Sequence, residues 1–165
     1  MSSRAARQPP NLRDIRIMST IGIAEAQGFV DRLPHCRELK IQVEDTGPAR
    51  ARMSLPYDER LIGDPETGVI HGGAVSVLMD TCAGASVLMH PANGGPLATL
   101  DLRIEYMRAA KPGIMITAEA NCFHVTRTVA FIRVEAWDAD QSRPVATASG
   151  AFTFTPISGG SGESA

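Results

Sequence analysis

The stretch from Gly68 to His90, GVIHGGAVSVLMDTCAGASVLMH, limits what this chain can fold into more than any other: a glycine-rich entry, then an apolar run of helical length broken by one carboxylate, Asp80. From Gly72 to Met89 the run is apolar nearly all round, so as a helix it must be buried on most sides. The rest of the chain supplies strands to cover it. Glu38 to Val43 and Arg50 to Leu55 alternate apolar and polar residues on either side of Thr46-Gly47-Pro48, which predicts a hairpin. Leu97 to Tyr106 puts Leu100, Leu102, Ile104 and Tyr106 on one face, with Thr99, Asp101, Arg103 and Glu105 on the other. Strands are also predicted over roughly Ile114 to Val125, Val129 to Trp137 and Val145 to Phe154, and their short links make an antiparallel meander. The expectation is an α+β domain: a curved antiparallel sheet of five or six strands around one long central helix.

At 165 residues the chain fits one domain. Residues 1–13 have few apolar side chains and 158–165 read SGGSGESA, so a disordered arm and a flexible tail are expected around a single domain over 14–157. A helix is expected between Asp14 and Leu33, beginning as late as Ile21 and ended by Pro34, and Tyr57 to Gly68 has the composition of a loop. With 16 basic and 18 acidic residues and no block of like charge, neither nucleic acid nor an anionic membrane is expected as a partner. Cys36, Cys82 and Cys122 are odd in number and show no CxxC spacing, which points to a reducing compartment without a disulfide or zinc framework. The N-terminus lacks the apolar core of a secretory signal, and the longest uncharged stretch is broken by His, Gly and Pro, so a cytoplasmic, non-spanning protein is expected.

Asp80 is the anomaly in the central run, because a carboxylate in an apolar site costs several kcal/mol unless it is partnered or used. At 100° per residue Gly73, Ser76, Asp80 and Gly84 share one stripe, a floor that a ligand or another backbone can approach. Gly72 and Gly73 open the helix, where N–H groups lack intrahelical acceptors and the dipole favours negative charge. Yet Gly73 and Asp80 lie roughly 10 Å apart at 1.5 Å per residue, too far to act together on one carbonyl. If both serve one substrate, they come from two antiparallel helices, one from each subunit of a two-fold dimer. Taken singly, an HGG turn need only open a helix, Asp80 could be a hydrogen-bonded structural carboxylate, and His71 reads as a cap or interface contact rather than a base. There is no GxSxG elbow. Met79, Met89 and Met107 would suit an adaptable apolar pocket, although methionines of this kind are more often ordinary core.

The pattern GxxHGGxxxxLxD from Gly68 to Asp80, with TLDLRIEYMRAAKPG from Thr99 to Gly113 and VATASGAF from Val145 to Phe152, resembles the hotdog-fold thioesterases of the phenylacetyl-CoA thioesterase (PaaI-like) group. The resemblance covers about Gly63 to Phe154 and implies hydrolysis of acyl-CoA without metal or organic cofactor, in homodimers usually paired into tetramers. Carried over, it makes Asp80 the catalytic carboxylate, as nucleophile or general base, and has the Gly73 N–H of the partner subunit polarise the thioester carbonyl. Thr99 would help to place the attacking water, and His71 would hold the turn. Gly72 and Ser76 complete the substrate-binding surface of the helix. Many relatives carry an Asn before HGG; here Gly63 to Gly68 has none, and Asp64 stands as a substrate-binding candidate although its charge would repel an oxyanion. Arg127, in Thr126-Arg127 where relatives often have Gly-Arg, is a candidate for a CoA phosphate. The rival readings are a non-catalytic acyl-CoA binding or sensing module and a hotdog dehydratase, which would want a His on the helix stripe.

Overall fold

Period-two alternation sets the architecture. The computed structural model describes residues 22–157. Six strands form one antiparallel sheet: β1 (Gln42–Gly47), β2 (Arg50–Leu55), β5 (Thr99–Tyr106), β6 (Ile116–Val125), β7 (Val129–Trp137) and β8 (Ala146–Thr153), in the order β1-β2-β6-β7-β8-β5. The long helix α3 (Gly72–Leu88) packs on β2, β6 and β7. This is the expected α+β arrangement of a sheet covering one central helix. The core joins Val75, Leu78, Met79, Cys82 and Val87 of α3 to inward residues such as Met53, Ala118, Ile132 and Phe152.

Several expectations change. The described part of the N-terminal helix is α1 (Ile23–Val30), and Pro34 does not simply end it: Pro34 opens a second short helix, α2 (Pro34–Glu38), because proline is at home in a first turn where its missing N–H is not needed. β1 therefore starts later than Glu38. The hairpin turn sits at Pro48-Ala49, with Ala49 in the left-handed region (φ 57°). Residues expected as loop before α3 contain a 3-10 turn (Glu59–Leu61) and a small hairpin of β3 (Ile62–Asp64) and β4 (Val69–Ile70). The expected arm, the tail and the start of the N-terminal helix fall outside the described residues. No described helix is long and apolar enough to cross a membrane.

The two sheet edges differ. Along β1, the Gln27 amide from α1 accepts from the Val43 N–H (2.6 Å) and donates to the Ile41 carbonyl (3.1 Å), so a side chain stands in for a neighbouring strand. β5 is an edge of eight residues with no strand beyond it among the described residues, and it carries Leu100 and Tyr106 at 57% and 50% exposure.

The segment leaving β5 is tied down by one ion pair. Both Arg108 Nη atoms donate to the Asp138 carboxylate (2.7 and 2.8 Å), which also accepts from the Lys111 and Ala139 N–H groups (2.9 and 2.7 Å). The Asp138 side chain is 1% exposed, and Arg108 holds its carboxyl well below the usual carboxylate range. A depressed folded pKa gives stability that is present above the unfolded value near 4 and is lost as pH falls below it. Asp138→Ala leaves Arg108 uncompensated and should cost about 3 kcal/mol in urea denaturation at pH 7, with the gap to the wild type narrowing below about pH 4.

Candidate active site

Two features converge on the start of α3. His71 is the N-cap: its Nδ1 accepts from the Gly73 N–H (2.9 Å), which fixes the tautomer with the proton on Nε2, and its own N–H donates to the Leu61 carbonyl (2.8 Å). The glycines around it are required by closeness. A Cβ on Gly73 would lie 2.9 Å from His71 Nδ1, and one on Gly63 would lie 2.7 Å from His71 Cα. The expected role of His71 in holding the turn is therefore what its contacts do. They leave the Gly73 N–H already engaged, whereas the Gly72 N–H has no acceptor among the described residues.

Tyr106 completes this end, and sequence reasoning missed it. Its ring lies where a Cβ on Gly72 would approach to 3.3 Å, its hydroxyl donates to the Gly72 carbonyl (2.6 Å), and Ser76 Oγ sits 2.7 Å from that hydroxyl. Alternation places Tyr106 with the apolar face of its strand; the available signal is a phenol at the end of the strand that follows the helix. Ser76 is thus tied to the HGG turn and not to Asp80.

One turn further along the helix stripe, Asp80 is half-buried rather than strictly buried. Thr99 Oγ1 donates to Asp80 Oδ1 at 2.9 Å, and among the described residues Asp80 has neither a second donor nor a cation. Most of its acceptor capacity is left to solvent or a ligand. Thr99 reaches it because β5 is irregular. The pairing with β8 shifts between Thr99 and Asp101, so Thr99 stands opposite the buried Phe152 while Leu100 points out. The face expected for Thr99 from alternation is thereby corrected: the bulge turns it toward the helix.

Asp80 and Thr99 line a cavity of about 360 Å³ whose other walls, apart from Thr81, are apolar residues of α1, β2, α3, the 96–98 segment and β8, with Leu33. His71 and Gly73 line a different one, of about 310 Å³, with His35, Arg60 and Val77. The structure brings Asp80 and Thr99 together, and separately His71, Gly72, Gly73 and Ser76. It does not bring the two groups into one cavity. Asp64 joins neither: its carboxylate accepts from Thr67 Oγ1 (2.6 Å) and the Glu66 N–H (3.1 Å) and so pins the β3–β4 turn. Arg127 is exposed in the β6–β7 turn and lines neither cavity. No cluster of three His, Cys, Asp or Glu side chains suited to a metal occurs among the described residues.

Comparison with known proteins fits this geometry. The family model described as "Thioesterase superfamily" matches residues 67–145, which include α3, β5, β6 and β7. The Halobacterium salinarum protein named "Putative esterase VNG_1336C" is 30% identical over 135 residues, covering 78% of this chain and 87% of the relative. The medium/long-chain acyl-CoA thioesterase YigI of Salmonella typhimurium is 25% identical over 126 residues, or 68% of this chain and 81% of that protein. Among solved structures, a mutant form of the phenylacetic acid degradation protein PaaI from Thermus thermophilus matches with a TM-score of 0.63 at 25% identity, covering 73% of this chain and 98% of that one. With the six-stranded sheet, the central helix and these matches together, the chain belongs to the thioesterase superfamily and has its hotdog fold.

Proposed function

We propose that this protein hydrolyses acyl-CoA thioesters as a homodimer, each site formed by Asp80 and Thr99 of one subunit and the start of α3 of the other. The observation that carries the reading is a half-buried carboxylate with one hydroxyl donor, set at an apolar cavity, about two turns along the same helix from an unengaged N–H. The exposed edge of β5 supports the dimer: two copies paired antiparallel along it about a two-fold axis set their α3 helices antiparallel as well. The start of each helix then lies beside Asp80 of the other. Pairing of dimers into tetramers, a cytoplasmic location consistent with three unpaired buried cysteines, and CoA as the thiol belong to the same proposal. The name of the Salmonella relative supports CoA.

In the reaction, the carbonyl oxygen accepts from the Gly72 N–H of the partner subunit, at the positive end of the helix dipole. Gly72 replaces Gly73 in this role because His71 already holds the Gly73 N–H. Asp80, oriented by Thr99, takes a proton from water as the water oxygen attacks the acyl carbon; the C–S bond then breaks and the thiol leaves as thiolate, which takes up the proton. A thiol with a reference pKa near 8.5 leaves with little acid assistance, so one carboxylate and one donor are sufficient. A covalent route, in which Asp80 forms an anhydride with the acyl group and water then attacks the Asp80 carboxyl carbon, would differ by placing labelled oxygen on the enzyme in a single turnover run in oxygen-labelled water.

Free-thiol release from a panel of acyl-CoAs is the direct test. Asp80→Asn should remove nearly all hydrolysis while leaving the melting temperature close to that of the wild type, and turnover that survives it would sink the reading. Binding of acyl-CoA with no turnover in the wild type would favour the sensing module instead. Gly72→Pro deletes the proposed donor at a position where the backbone suits proline, His71 being extended (ψ 132°), although its ring would press on Tyr106, 3.3 Å from the new Cβ; kcat should fall about 10²- to 10³-fold, with a melting temperature near the wild type showing that the helix start is intact. Subunits refolded as a one-to-one mixture of Asp80→Asn and Gly72→Pro should recover about a quarter of wild-type activity, since half the dimers are mixed and each holds one intact site. No recovery would place both groups in one subunit. Thr99→Val should lower kcat by about tenfold with little change in KM, as expected for loss of one hydrogen bond that orients the base.

A further inference from the structure

Three features of the cavity at Asp80 bear on what fills it. First, it has direction. Asp80, Gly84 and Leu88 all line it and follow one another at four-residue intervals along α3, so the lined stretch runs about 12 Å from the carboxylate toward the helix C-terminus. Phe29 of α1, Leu33 just before α2, Leu97 and Phe152 also line it. Second, it has a size: about 360 Å³, room for on the order of twelve water-sized groups at roughly 30 Å³ each. Third, it keeps an unused space inside a helix. A Cβ on Gly84 would meet Leu97 Cδ1 and Phe152 Cε1 at 3.6 Å, an ordinary contact distance, so alanine fits there. Glycine in a helix interior costs about 1 kcal/mol relative to alanine. The backbone conformation does not require glycine at this position, since its φ is not in the left-handed region. What the missing side chain leaves is room for about a methyl group, against Leu97 and Phe152, midway along the cavity.

We propose that this cavity takes a linear acyl chain of about ten carbons, entering at Asp80 and Thr99 and running along α3 over Gly84 toward Leu88. The length follows from the geometry: an extended chain advances roughly 1.2 Å per bond, as 3.3–3.6 Å per three-bond residue implies, so 12 Å holds about ten bonds. The volume gives a similar limit. Gly84 is then the specificity-determining position, because any side chain there grows into the path about five carbons from the thioester. This inference rests on the thioesterase reading above and adds the substrate class to it.

The test uses the full chain with straight-chain acyl-CoAs from butyryl to palmitoyl, and with phenylacetyl-CoA as a compact aromatic of similar atom count. In the wild type, kcat/KM should rise about fourfold per added methylene, the value of one buried CH₂, and stop rising near ten carbons. Decanoyl-CoA should exceed phenylacetyl-CoA at least tenfold. In Gly84→Val the decanoyl-to-butyryl ratio of kcat/KM should fall at least tenfold, with Gly84→Ala intermediate; the alanine variant meets only ordinary contacts and should melt no lower than the wild type, which covers the case in which valine disturbs folding. A flat chain-length profile, a preference for phenylacetyl-CoA, or a ratio unchanged in both variants would overturn the proposal while leaving thioester hydrolysis standing, provided Asp80→Asn is inactive. If no thioester is hydrolysed, the thioesterase reading fails, and calorimetry with decanoate then decides the cavity: binding that is lost in Gly84→Val upholds it, and absence of binding refutes it.

Discussion

An apolar helix that one sheet cannot fully cover is the constraint on which the rest of this structure depends. α3 buries Ala74, Val75, Leu78, Met79, Cys82, Ala83, Ser86 and Val87 against the sheet and core, and it leaves Ser76, Val77, Asp80, Thr81, Gly84, Ala85 and Leu88 half-buried. Burying a methylene gains about 0.8 kcal/mol, so the buried face supplies much of the drive that folds the sheet around the helix. The remaining stripe is neither core nor ordinary surface. It carries small and apolar residues with one carboxylate, and the features on which the proposed function rests lie along it: the glycine turn, the Ser76–Tyr106 contact, the Asp80–Thr99 contact and the cavity wall at Gly84.

The sheet was legible because its strands obey one rule over many residues. β6 and β7 alternate buried and more exposed positions over most of their length, and the sequence pattern that predicts them needs no knowledge of partners. The misses fall where a local choice depends on a contact far away in sequence. Pro34 can stop a helix or start one, and the preceding Leu33, extended at ψ 111°, makes it a start. The positive φ of the first hairpin falls on Ala49 and not on Gly47, held there by bonds from the Ala49 N–H to the Met89 carbonyl and from the Cys122 N–H to the Ala49 carbonyl. Neither anchor can be read from the hairpin itself.

The candidate site was legible to the same degree. Asp80 stands out as a charge in an apolar run, and it does lie at a cavity. Thr99 is named only through resemblance, since alternation puts it on the far face; a single extra residue in the β5–β8 ladder reverses that. Which of Gly72 and Gly73 keeps its N–H unengaged turns on one imidazole, because His71 Nδ1 holds the Gly73 N–H. Nothing in the spacing HGG tells which. Met79 and Met89, whose chemistry would suit an acyl pocket, are buried core. Asp64 shows the opposite error: a carboxylate near the motif is spent on its own turn, where Thr67 and the Glu66 N–H hold it.

Helix geometry also explains why such a site would be divided between subunits rather than assembled in one. Along a single helix, groups on one face recur every three or four residues, about 5 Å apart, so an N-terminal donor and a carboxylate two turns on can share a face but cannot meet at one atom. Moving the carboxylate into the first turn would bring it within reach, but there it would be stabilised by the helix dipole and would draw the local N–H groups to itself, which weakens it as a base and removes the oxyanion donors. Two turns of separation keep the carboxylate clear of that field within its own helix. An antiparallel second helix then returns a fresh N-terminus to the carboxylate, with the substrate between them absorbing the opposing charges. In the proposed dimer the two-fold axis would be part of the chemistry: it would let one short segment supply the base to one site and the electrophile's donor to the other, without either neutralising its neighbour.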